Sequence, residues 1–199
     1  MFYVCGTFRN HCCFLYSDAF KDNDSVILAT NTSSLPCRDI GKHVVNRKRF
    51  AGLHFFNPVV LMKLVEIVRV DADTDDATYN ALVQYVKDIG KVGVTCKDTP
   101  GFIVNRLLIP YMFNAVAMLE RGDATAKDID TAMKLGAGYP MGPFELMDFT
   151  GLDTAKFIGD SFIDENGNPI TGKSPLLEKL VNEGKHGRKS GEGFYNYKK

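Results

Sequence analysis

A chain of 199 residues has room for one large or two small domains and for a core that needs no disulfide support. Its 24 basic and 24 acidic residues cancel and no basic cluster stands out, which excludes nucleic acid and anionic membrane surfaces as expected partners. No apolar run is long enough to span a bilayer, and the five cysteines show neither metal-ligand nor Cys-x-x-Cys spacing. That usage predicts a reduced compartment, with no metal site and with Cys37 and Cys96 each alone in polar surroundings.

Residues 1–17 are rich in aromatics and cysteine, and they match neither a secretory signal nor an Arg/Ser-rich amphipathic presequence. They read as an atypical N-terminal segment that could supply at most one strand. Regular patterning starts at Asp18. The run Ser25 to Ala29 suits a strand buried on both faces, and it ends in the polar cluster Thr30, Asn31, Thr32, Ser33 and Ser34. Polar groups just beyond the carboxyl end of a parallel strand are where open α/β sheets bind ligands, although Asn-Thr-Ser-Ser is more often a helix-capping sequence. Leu35 to Val45 reads as a short helix or loop, and Arg47, Lys48 and Arg49 as a solvated face.

From Phe50 to Val70 two apolar, strand-like runs are joined by a turn at Asn57 and Pro58. Each run carries one ionisable residue, His54 in the first and Glu66 in the second. A lone histidine among aromatics is commonly a satisfied core residue. A carboxylate within Leu-Val-Glu-Ile-Val, however, costs several kcal/mol to bury unless paired, and His54 is the nearest candidate. A carboxylate on one ring nitrogen fixes the tautomer and orientation of the imidazole and leaves the other nitrogen free to take a proton, the arrangement of an oriented general base.

Asp73 to Gly90 has helical spacing at Leu82, Val83, Val86 and Ile89, with Thr74 as its expected N-cap and Gly90 as its stop. Lys91 to Lys97 is a further strand, so strand, helix and strand follow one another as in a doubly wound parallel sheet. At Asp98-Thr-Pro-Gly the pattern changes. Thr99 as cap and Pro100 at the first helical position predict a long helix from Gly101 to Arg121, with helical patterns alone thereafter at 126–135, 143–150, 152–164 and 175–183. The expected domains are therefore 18–98, a partial nucleotide-binding unit, and 99–199, a helical unit. Asn105 sits one turn into the long helix in an apolar line, and a buried amide there needs a partner, either a ligand or a backbone carbonyl. The clusters beginning at Gly136 and Gly187 mark tight turns. No Gly-x-Gly-x-x-Gly occurs.

Taken together, Asn31-Thr-Ser-Ser-Leu, Gly52-Leu-His-Phe-Phe-Asn-Pro, Lys63-Leu-Val-Glu, Lys97-Asp-Thr-Pro-Gly-Phe-Ile-Val-Asn-Arg, Gly136-Ala-Gly-Tyr-Pro-Met-Gly-Pro-Phe-Glu-Leu and Ser190-Gly-Glu-Gly-Phe-Tyr closely resemble the 3-hydroxyacyl-CoA dehydrogenases of fatty-acid β-oxidation, from about Asp18 to the last residue. The resemblance implies a Rossmann-like NAD-binding domain joined to a helical domain that forms a homodimer, an acyl-CoA substrate, and a place in the mitochondrial matrix. It makes His54 the base that takes the proton of the 3-hydroxyl, with Glu66 the acid paired with it. Ser33 and Asn105 hold the reacting oxygen and the thioester end of the substrate, Ser33 also lies near the nicotinamide, and Asn57 and Lys189 touch the cofactor. The family's opening strand, glycine-rich pyrophosphate turn and ribose-binding acid have no counterpart in the sequence, so the chain is expected to be the carboxyl-terminal portion of such an enzyme. The alternative expectation is a truncated, non-catalytic form that serves dimerisation.

Overall fold

The computed structural model describes residues 2–5, 20, 22–23, 25–33, 35–70, 73–164 and 166–198. Most of the atypical N-terminal segment lies outside them. The chain divides into two compact units, Met1–Ile103 and Val104–Lys199.

The first unit is a five-stranded sheet whose strands lie in sequence order: β1 (Phe2–Cys5), β2 (Ile27–Thr30), β3 (Phe50–Phe55), β4 (Leu64–Arg69) and β5 (Val92–Lys97). Phe2–Cys5 lies in the N-terminal segment and pairs parallel to β2. The β2–β3 and β4–β5 pairs are also parallel, bridged by helix α1 (Cys37–Gly41) and helix α2 (Asp76–Asp88) respectively. The β3–β4 pair is antiparallel, so the sheet is mostly parallel with one reversed pair. The connection from Phe56 to Lys63 is too short for the dozen or more residues that a parallel crossover needs, so the chain must turn back as a hairpin.

Period-two alternation sorts the residues of β3 and β4 onto two faces. Ala51, Leu53, Val65 and Ile67 join Leu82 and Val86 of α2 in one core cluster. Phe50, Val68 and Val70 join Cys37, Val44 and Phe102 in the other. Gly52 lies on this second face, where a Cβ would stand 2.7 Å from both the Cys37 sulfur and the Val68 Cβ. Only glycine lets α1 come this close to the sheet. Cys37 is fully buried in this cluster rather than in polar surroundings, and burial, then Asp98, pushes its thiol well above the usual range. Cys96, half-buried, is pushed up to about 12, first by burial and then by Glu66 and Asp98.

Two boundaries differ from the sequence expectation. Helix α2 is capped by Asp75, whose side chain accepts from Thr78 N, while the buried Thr74 hydroxyl donates to Phe50 O at 2.7 Å and accepts from Val70 N. Thr74 serves a strand instead of a helix end. The long helix α3 runs from Val104 to Arg121, starting three residues after Gly101, because Gly101 and Phe102 both take positive φ (79° and 52°) and form a turn. Asn105 is accordingly its second residue.

The second unit adds α4 (Ala126–Gly136), α5 (Pro143–Thr150), α6 (Leu152–Ser161) and α7 (Pro175–Asn182). Its core holds Ile109, Met112, Val116, Phe144, Met147, Leu152 and Phe162. Two buried carboxylates pin its irregular segments. Asp130 accepts from Phe144 N, Glu145 N and the Tyr195 hydroxyl, and Asp148 accepts from Phe194 N, Tyr195 N and the Tyr197 hydroxyl.

Candidate functional site

His54 and Glu66 are direct cross-strand partners in the β3–β4 hairpin, with Gly52 opposite Val68 and Leu53 opposite Ile67. Residues directly opposite in an antiparallel pair share a face, with side chains about 5 Å apart at Cβ, so the register alone brings the two together. His54 is 3% exposed and Glu66 fully buried. His54 Nδ1 lies 2.7 Å from Glu66 Oε2, and Glu66 Oε1 accepts from Ile103 N at 3.0 Å. The other ring nitrogen, Nε2, is 3.0 Å from Ser33 Oγ.

The donor pattern follows from what each group can do. A carboxylate only accepts, so Nδ1 carries the proton that faces Glu66; in the neutral ring Nε2 then keeps a lone pair, to which the Ser33 hydroxyl donates. The aromatic rings of Phe56 and Phe102, with centroids 4.6 and 5.5 Å away, wall the imidazole. The array of carboxylate, imidazole and hydroxyl, with a lone pair at its outer end, can accept a proton from a group that takes Ser33's place or joins it.

Ser33 is carried by the segment that leaves the carboxyl end of β2. Its neighbours are used for backbone fixation: Asn31 Oδ1 accepts from Phe55 N at 2.8 Å, and Thr32 Oγ1 accepts from Leu35 N at 3.0 Å. None of Asn31, Thr32 and Ser33 caps α1, whose N-cap, Pro36, offers no side-chain acceptor. The first free amides of α1 are met by Asp98, which accepts from Cys37 N and Arg38 N at 2.8 and 2.7 Å.

The structure therefore brings Ser33, His54 and Glu66 into one hydrogen-bonded chain within the sheet unit. Asn57 is exposed just beyond β3. Asn105 and Lys189 belong to the helical unit. Lys189 Nζ is 2.6 and 2.7 Å from the two carboxylate oxygens of Asp153. Arg47 and Lys48 are exposed, as a solvated face requires, whereas Arg49 is partly buried and donates to Asn23 O at 3.3 Å. The bonds of Asp98 and Ile103 and the packing of Phe102 on the imidazole have no signal in the local sequence, which suggests only the start of the helix that follows, because these contacts run to residues far away along the chain.

Residues 18–99 match the family model described as 3-hydroxyacyl-CoA dehydrogenase, NAD binding domain, and residues 101–197 match 3-hydroxyacyl-CoA dehydrogenase, C-terminal domain. The chain is 61% identical over 175 residues to a probable 3-hydroxyacyl-CoA dehydrogenase of Caenorhabditis elegans, covering 87% of this chain and 56% of that protein. It is 57% identical over 176 residues to the human hydroxyacyl-coenzyme A dehydrogenase, mitochondrial, covering 88% of this chain and 56% of that protein. It thus spans little more than half the length of these curated relatives. Among solved structures, an (S)-3-hydroxybutyryl-CoA dehydrogenase from Ralstonia eutropha superposes with a TM-score of 0.87 at 36% identity, covering all of this chain and 71% of that one. With both halves matched by its models, the chain belongs to the 3-hydroxyacyl-CoA dehydrogenase family.

Proposed function

We propose that the protein takes part in the NAD-dependent oxidation of (S)-3-hydroxyacyl-CoA to 3-oxoacyl-CoA, with His54 as general base. The observation that carries this reading is the hydrogen-bonded chain from Glu66 through His54 to Ser33, 2.7 and 3.0 Å long at its two links. Ser33 and Asn57 lie beyond the carboxyl ends of β2 and β3, the end of an open α/β sheet at which dinucleotides bind. Both are uncharged hydrogen-bonding groups, a donor set suited to the carboxamide and ribose of a nicotinamide nucleotide. When bound there, NAD supplies the acceptor for the hydride that leaves C3 of the substrate.

The residues of the chain do the proton chemistry. His54 Nε2 takes the proton of the 3-hydroxyl as the C3–O bond becomes a carbonyl, and Glu66 stabilises the imidazolium that results. Ser33 holds the reacting oxygen beside Nε2. By family likeness Asn105 holds the thioester end of the acyl-CoA, Lys189 joins Asn57 at the cofactor, the helical unit pairs with a second copy, and the working compartment is the mitochondrial matrix, where the reaction serves fatty-acid β-oxidation. The human relative that the chain matches carries "mitochondrial" in its name.

The test is NADH-linked reduction of acetoacetyl-CoA by the purified chain, beside His54→Ala. A rate about 10²- to 10⁴-fold above the variant is expected for an oriented acid–base residue. Equal rates for the two proteins would remove His54 from the reaction.

A further inference from the structure

Asp98 to Ile103 connects β5 to α3, and it touches the site from two directions. At its start, Asp98 is 4% exposed, and its two oxygens separately accept from Cys37 N (2.8 Å) and Arg38 N (2.7 Å). On the other side of Ser33, Asn31 is tied to β3 through Phe55 N. Ser33 therefore hangs between two anchors, and its hydroxyl is 3.0 Å from His54 Nε2. At the end of the same turn the Phe102 ring stands against the imidazole, and Ile103 N donates to Glu66. Phe102 adopts φ 52°, a left-handed conformation unusual for a bulky residue and held only where surrounding contacts determine it.

We propose that Asp98 is a positioning residue for the acid–base site: by clamping the amides of Cys37 and Arg38 it holds the Ser33 segment so that Ser33 stays hydrogen-bonded to His54. The turn it opens also fixes the ring, through Phe102, and the carboxylate, through Ile103. The proposal rests on the reading of His54 as the base. A carboxylate is required because two N–H donors must be met at once by acceptors, and an asparagine has one oxygen; its NH₂ would face an amide that only donates.

The experiment uses the full chain labelled with ¹⁵N-histidine for ring-nitrogen spectra, and uniformly with ¹⁵N for amide exchange. In the wild type His54 should show the Nδ1–H tautomer, with its Nε2 resonance displaced by the Ser33 hydrogen bond. Asp98→Asn and Ser33→Ala should move that Nε2 resonance in the same direction while the Nδ1–H signal facing Glu66 persists. Exchange of the Cys37 and Arg38 amides, slow in the wild type, should quicken about 10- to 100-fold in Asp98→Asn, the range for loss of a hydrogen bond to a charged group. An Nε2 resonance unchanged in a folded Asp98→Asn overturns the proposal, as does unprotected exchange of the two amides in the wild type; the latter measurement needs no variant to fold. None of these readouts depends on turnover, so an inactive chain with the expected shifts would remove the base assignment and leave the clamp standing.

Discussion

Glu66 has no hydrogen to give, and its two oxygens face two donors: Oε2 the Nδ1–H of His54, Oε1 the amide of Ile103. Glu66→Gln supplies one oxygen and one NH₂, so either the Ile103 amide loses its acceptor or the imidazole turns over to the tautomer whose Nε2 carries the proton and cannot act as a base. The expected outcome is a folded protein, by circular dichroism, whose reduction of acetoacetyl-CoA falls by about 10²- to 10⁴-fold. Unchanged kinetics across neutral pH would take Glu66 out of the mechanism. The pairing itself was legible in the sequence, since a glutamate in an apolar strand calls for a partner and a short hairpin limits the choice. The part played by Asp98 was not. Its partners lie 60 and 61 residues earlier, and no local pattern records a bond across that interval.

At the scale of elements, a helix cap and a pinned tail give two expectations. The Asp75 carboxyl is held below its usual range by its hydrogen bonds to Thr78 and, weakly, by Lys48 and Arg49. A carboxyl whose folded pKa is depressed contributes stability above its unfolded value of 3.8, and that contribution is lost as pH falls through the lower folded value. Asp75→Ala should therefore lower stability by about 1 kcal/mol at neutral pH, and thermal melts of the two proteins should converge as the solution is taken below the ordinary carboxylate range. A gap that stays constant down to strong acid would show that the cap acts without its charge. In the helical unit, Phe194 and Tyr195 donate their amides to Asp148, and a Cβ on Gly193 would run into Asp148 Oδ1. Gly193→Ala should cost about 1 to 3 kcal/mol by forcing the tail off that carboxylate, read as a lower denaturant midpoint at an unchanged slope. The clusters beginning at Gly136 and Gly187 read from the sequence as tight turns, and several of their glycines do take positive φ. That they also make room for buried aspartates depends on which segments meet.

For the whole molecule, the helical unit leaves large apolar side chains exposed, among them Leu107 (70%) and Leu135 (83%), surface that the proposed pairing with a second copy could draw on. Sedimentation of the chain should give a dimer, and Leu135→Asp should weaken self-association by about ten-fold or more if that residue is buried between copies. A strict monomer for the wild type would remove the homodimer from the functional reading. The order of elements, the apolar faces of strands and helices, and the change from strand–helix alternation to helices alone were determined by residue pattern, because periodicity and turn chemistry act over a few neighbouring residues. The true start of α3 at Val104, the cap at Asp75 and the bonds from Cys37 N and Arg38 N to Asp98 were decided only by tertiary structure. Each depends on which distant groups compete for the same hydrogen-bonding partner, and that competition exists only once the chain has closed on itself.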